Sequence, residues 1–88
     1  MFSQRKPTQA NRELFGQLIH DARKSQNMTQ EKLAECMTCS LRWINRVERG
    51  ESNLNWMDMI RLLIILDLPP EKVAEEVGLD VSILTSRK

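Results

Sequence analysis

The sequence is short of the residues that build several kinds of site. Of 88 residues, two are cysteine, one is histidine and none is tyrosine. Two cysteines cannot make a disulfide framework. With no stretch that reads as a secretory leader, they point to a reducing, cytoplasmic setting. Zinc takes four ligands, and Cys36, Cys39 and the lone His20 fall short of that set, so neither a metal nor another cofactor is expected. The longest apolar run, Leu62 to Leu66, is too short to cross a bilayer, so no membrane partner is expected. There is no Ser-His-Asp set, no glycine-rich phosphate loop and no catalytic carboxylate pattern, which argues against an enzyme. Internal repeats and low-complexity segments are also missing. What remains fits one small domain with a modest core of short helices.

Net charge is only +1, but it is unevenly spread. Through Gly50 there are nine Lys/Arg against five Asp/Glu; from Glu51 onward there are four against seven. A basic first half suits a polyanion, and the acidic second half suits another task.

Residues 1–10 are polar and basic, and read as a flexible arm. Residues 11–78 carry the helical patterns of the domain, and 79–88 form a short tail. Asn11 is a plausible N-cap for a first helix with Leu14, Phe15, Leu18, Ile19 and Ala22 at helical spacing, ending near Ser25. His20 sits among polar neighbours there, as a surface residue would. Thr29 opens a short second helix with Leu33, Ala34 and Met37 inward. Ser40 caps a third, with Ile44 and Val47 inward and Gly50 as its stop. Two short helices joined by so tight a turn have helix-turn-helix spacing. Asn55, with Asp58 three residues on, opens a fourth helix through Leu66. Pro70 starts a fifth that runs to Val77 before Gly78.

The third helix has two faces. Ile44 and Val47 can pack down together. Leu41, Arg42, Asn45, Arg46 and Arg49 fall on the other side. Arginine can grip guanine or a phosphate, asparagine can pair with adenine, and an exposed leucine suits a thymine methyl. The residues alone leave two readings: a solvated charged face, or a face for nucleic acid. Cys36 and Cys39 form C-x-x-C beside the turn, either as ordinary cysteines or as a redox pair whose disulfide would distort it.

The fourth helix is apolar nearly all round. Ile64 and Ile65 leave apolar surface beyond the core-facing Leu62, Leu63 and Leu66, and Val73 and Val77 of the fifth helix add to it. The expectation is a homodimer through these two helices. The alternative is that Leu79, Val81, Ile83 and Leu84 of the tail fold back over the same surface.

The stretches "ARKSQNMTQEKLAECM", "CSLRWINRVERG" and "MIRLLIILDLPPEKV" carry a family likeness. From about Phe15 to Val73 the chain resembles the Xre/Cro family of helix-turn-helix regulators, which includes the lambdoid phage repressors. The resemblance implies an all-α, five-helix repressor-like domain that binds double-stranded DNA as a dimer and controls transcription. It implies that Gln30, at the start of the second helix, holds a backbone phosphate. Leu41, Arg42, Asn45 and Arg46 match positions that meet base edges or nearby phosphates; Arg49, further along the same face, reads as a phosphate or solvent contact. Trp43 matches the groove wall, where its indole N–H would meet a phosphate, or else packs on the second helix. Ser52 and Asn53 match a phosphate-contacting loop. Arg23 and Glu48 match a buried structural pair.

Three positions depart from the pattern. Thr38 stands in the turn where the family often has glycine, Leu54 where proline is common, and Asp67 where glycine usually ends the fourth helix. The implied function is a sequence-specific regulator on a pseudo-palindromic operator, acting by occupancy or by contact with RNA polymerase. The rival is the same fold used as a partner-binding or antitoxin-like module through its apolar fourth and fifth helices.

Overall fold

Thr8, Thr29, Ser40 and Asn55 each lie in extended backbone and accept a hydrogen bond from the backbone N–H three residues on, at 2.8–3.1 Å. Each removes an orphan donor at a helix start and stabilises it by about 1 kcal/mol. The helices that follow are α1 (Gln9–Ser25), α2 (Gln30–Met37), α3 (Leu41–Glu48) and α4 (Trp56–Ile65); α5 (Pro70–Glu76) opens on its proline. The computed structural model describes residues 8–76, which form an all-α fold. Val77, the tail and most of the arm lie outside the described residues. The first helix starts two residues before Asn11. Asn11 is not its cap but the third residue of a capping box, returning its side-chain Oδ1 to the Thr8 N–H at 3.0 Å.

The helix ends are alike. Asn27, Thr38, Gly50 and Asp67 all take positive φ, between 56° and 75°. Behind each, two backbone N–H groups turn back onto the last helical carbonyls. After α2, Thr38 N–H meets Glu35 O at 3.1 Å and Cys39 N–H meets Ala34 O at 3.0 Å. Only one of these four left-handed stops, Gly50, is a glycine, which leaves three to other residues. Asn27 and Asp67 tolerate that conformation; a β-branched threonine tolerates it poorly. Thr38 thus keeps the turn shape that glycine would give, at a cost in strain of order 1 kcal/mol or more. Thr38→Gly is therefore expected to stabilise the domain by about 1 kcal/mol in urea denaturation, after glycine's own entropic cost. A loss of stability would show that the threonine is not strained.

The core is a single cluster. Phe15 and Ile19 of α1, Leu33, Ala34 and Met37 of α2, Ile44 and Val47 of α3, Leu62, Leu63 and Leu66 near α4, and Val73 of α5 are all buried. α3 packs on both α1 and α2, so it rests on two supports with its outer edge free. Leu54, in the place of the common proline, packs against this core. Two expectations are corrected. Leu14 follows the helical spacing but stays exposed, because the apolar stripe of α1 is wider than the surface that covers it. Val73, expected on a subunit face, is 4% exposed and belongs to the domain's own core.

Candidate nucleic-acid interface

The recognition edge is built from below. Arg23, 7% exposed, reaches from α1 to Glu48 at the end of α3. Its Nε donates to Oε2 at 2.7 Å and its Nη2 to Oε1 at 3.1 Å, while Nη1 donates to the Met28 carbonyl at 2.8 Å. One guanidinium thereby fixes α1, the loop before α2, and α3. The pairing that the resemblance implied is present, and it has two further members. His20 Nδ1 lies 2.9 Å from Glu48 Oε1, and Gln30 Nε2 donates to the same oxygen at 3.1 Å. His20, expected as an ordinary surface residue, is half-buried and part of the network. No sequence signal marks it, because the contact spans 28 positions. Among the described residues, no buried side-chain polar atom lacks a partner.

Burial alone would raise the pKa of Glu48. The hydrogen bonds from Arg23, His20 and Gln30, with the charge of Arg23, outweigh it and hold the carboxylate below its ordinary value. A depressed carboxylate adds stability that is complete above its unfolded-state pKa of about 4.3 and is lost as pH falls through the lower folded-state value. Stability in urea is thus expected to drop on acidification below about pH 4, and less steeply in Glu48→Gln. Equal slopes for the two proteins would contradict this.

Above the network lies the exposed edge. Leu41, 43% exposed, and Arg42 stand at the first turn of α3, where a helix entering a major groove reaches base edges. The Arg42 side chain is exposed. Asn45 is half-buried, donates from Nδ2 to Gln30 Oε1 at 3.4 Å, and accepts from the Arg49 guanidinium on Oδ1. Arg46 donates to the Glu51 carbonyl at 3.2 Å, which ties α3 to the loop holding half-buried Ser52 and exposed Asn53. Trp43 lies half-buried against the core, which favours the packing role. The structure thus gathers Gln30, Asn45 and Arg49 into one chain of contacts and sets Arg46 beside the 51–55 loop.

A second brace was not foreseen. Arg61 of α4 donates from Nη2 to the Met37 carbonyl at 2.7 Å, closing the end of α2 just before the turn. Cys36 and Cys39 are free thiols. Burial pushes the Cys39 thiol up, while Arg61 opposes this and Asp58 adds to it. Among the described residues no cluster of His, Cys, Asp or Glu is placed to hold a metal ion, and no helix is long and apolar enough to cross a membrane.

The family model described as a helix-turn-helix domain matches residues 14–76. Similar solved structures include the following two. One is the restriction-modification controller protein C.AhdI from Aeromonas hydrophila, with 28% identity, a TM-score of 0.67, and coverage of 73% of this chain and 97% of that one. The other is the clp gene regulator ClgR from C. glutamicum, with 21% identity, a TM-score of 0.72, and coverage of 86% and 95%. The second likeness is one of fold alone. No curated protein sequence matches the chain. The chain belongs to the helix-turn-helix domain family and has the fold of the Xre/Cro-type DNA-binding regulators.

Proposed function

We propose that this chain is a sequence-specific, double-stranded DNA-binding transcriptional regulator that acts as a homodimer, with α3 of each protomer in a major groove. The observation that carries the reading is the division of α3. Ile44 and Val47 are sealed in the core, while Leu41, Arg42, Arg46 and Arg49 stand exposed around half-buried Asn45. Both hydrogen-bonding and apolar groups on that edge suit base edges, and the arginines suit phosphates. Gln30, Ser52 and Asn53 flank the edge, as phosphate contacts would.

A dimer would place two such helices on half-sites about one turn apart on a pseudo-palindromic operator. Met57 and Ile64, 67% and 72% exposed, share one face of α4 with Ile60, at spacings of three and four. That stripe, with half-buried Ile65 at its edge, suits a partner protomer, and it replaces Val73 in the expected interface. Bound at a promoter, the dimer would act by occupancy or by touching RNA polymerase.

Selection from a pool of random duplexes tests all of this at once. Enrichment of twofold-related half-sites supports the dimeric reader. Enrichment of a single half-site would remove the dimer. No enrichment at all would favour the rival, a module that binds a protein through the α4 stripe. On the selected site, Arg46→Ala is expected to cost about 1–3 kcal/mol and relax preference at one position. Equal weakening on all sequences would make Arg46 a phosphate contact.

A further inference from the structure

The hydrogen bonds that lead outward from Glu48 have only one self-consistent direction. A carboxylate can only accept, so Gln30 must turn its amide NH2 toward Glu48 Oε1, 3.1 Å away. The reversed amide would set oxygen against oxygen. With the NH2 turned inward, Gln30 Oε1 faces α3 and accepts from Asn45 Nδ2 at 3.4 Å. Asn45 is fixed in turn. Its Oδ1 lies on the other side, where the Arg49 guanidinium, a donor only, binds it. The inner end of the chain is a carboxylate whose side chain is 5% exposed and is held by Arg23. The outer end is an arginine. Two amides, each free to flip in isolation, stand between an obligate acceptor and an obligate donor.

We infer that Glu48, beyond joining α1 to α3, is a positioning residue for base recognition: through Gln30 it sets which amide edge Asn45 presents to DNA. The inference rests on the DNA-binding reading above. An asparagine meets adenine by accepting from N6–H with Oδ1 and donating to N7 with Nδ2. A flipped amide puts donor against donor and acceptor against acceptor. Held as it is, Asn45 keeps one spare Nδ2 hydrogen and one spare Oδ1 lone pair in a fixed order. An amide free to flip would offer either order and discriminate less.

The test is duplex selection from a random pool with the full 88-residue chain and three variants, each first checked by circular dichroism and thermal melting. Asn45→Ala identifies the base pair that Asn45 reads. Gln30→Met keeps the length of the side chain and removes its amide. Glu48→Gln replaces the obligate acceptor with a group that either donates or accepts. Both variants are expected to lose discrimination of about tenfold at the Asn45 position, while preferences elsewhere stand. A merely structural role, or a phosphate contact by Gln30 alone, would weaken every sequence alike and leave that position intact; this result overturns the inference. So does an Asn45→Ala profile identical to wild type. If Glu48→Gln fails to fold, Gln30→Met decides alone. If wild type selects no sequence, the DNA-binding reading itself has failed, and the inference falls with it.

Discussion

Glu48→Ala is expected to destabilise the domain by about 3–5 kcal/mol. The variant removes the carboxylate that balances buried Arg23, leaving Nε without its acceptor and the guanidinium with only the Met28 carbonyl and the His20 ring nitrogen, 3.3 Å from Nη2. His20 and Gln30 lose their shared partner at the same time. A domain this small has about 5–10 kcal/mol in total, so urea curves should show a large fall in midpoint. Removing both members, Arg23→Ala with Glu48→Ala, is expected to cost less than the sum of the single changes, because no unpaired charge is left behind. A loss below about 1 kcal/mol for Glu48→Ala would place the pair with ordinary surface ion pairs. The exposed Lys32–Glu35 pair at 3.7 Å and Arg49–Glu51 pair at 3.6 Å are of that weak kind.

Gly16→Ala is the second large effect. In most helices alanine gains about 1 kcal/mol over glycine. At this site a Cβ would lie 2.4 Å from the Val47 carbonyl oxygen and 2.7 Å from that of Glu48. Both obstacles are backbone, so no side chain can turn aside, and α1 must move away from α3. We expect a net loss of about 1–3 kcal/mol in stability. The same displacement would stretch the Arg23–Glu48 contact and shift the recognition edge, so DNA affinity should fall although Gly16 touches no DNA. A stabilised variant would show that the two helices have room to spare.

These two sites differ in how visible they are from the amino-acid sequence. The inward pair Ile44 and Val47, the caps at Thr29, Ser40 and Asn55, and the stop at Gly50 follow from local rules. Each depends on residues within one turn. Arg23 with Glu48 is not local; it came from the resemblance to a family. Gly16 gave no signal, because a glycine inside a helix looks like a weakness until the partner backbone is seen. The contacts of His20, Arg61 and Gln30 were opaque for a related reason. Their partners are a carboxylate, a carbonyl and an amide brought near only by the packing of α1, α2, α3 and α4. Val73 went wrong in the opposite way. Its apolar character was plain, but which body would cover it was decided by the docking of α5 against α1.

The exposed edge of α3 was the most legible part of the candidate site. Its direction is set by the burial of Ile44 and Val47, and its chemistry by the residues that remain. What the structure adds is connection: Asn45 is held from behind by Gln30 and Glu48, and Arg46 is tied to the loop that carries Ser52 and Asn53.

The proposed function stands or falls on whether the exposed edge of α3 meets DNA. Fluorescence anisotropy with a labelled selected duplex and a scrambled control, across a range of salt concentrations, tests it most directly. The expected result is tight binding to the selected duplex and weaker binding to the control. Both should fall steeply with salt, with a logarithmic slope of about −0.9 for each phosphate neutralised. No change in anisotropy with either duplex at low salt would mean that the edge does not bind DNA.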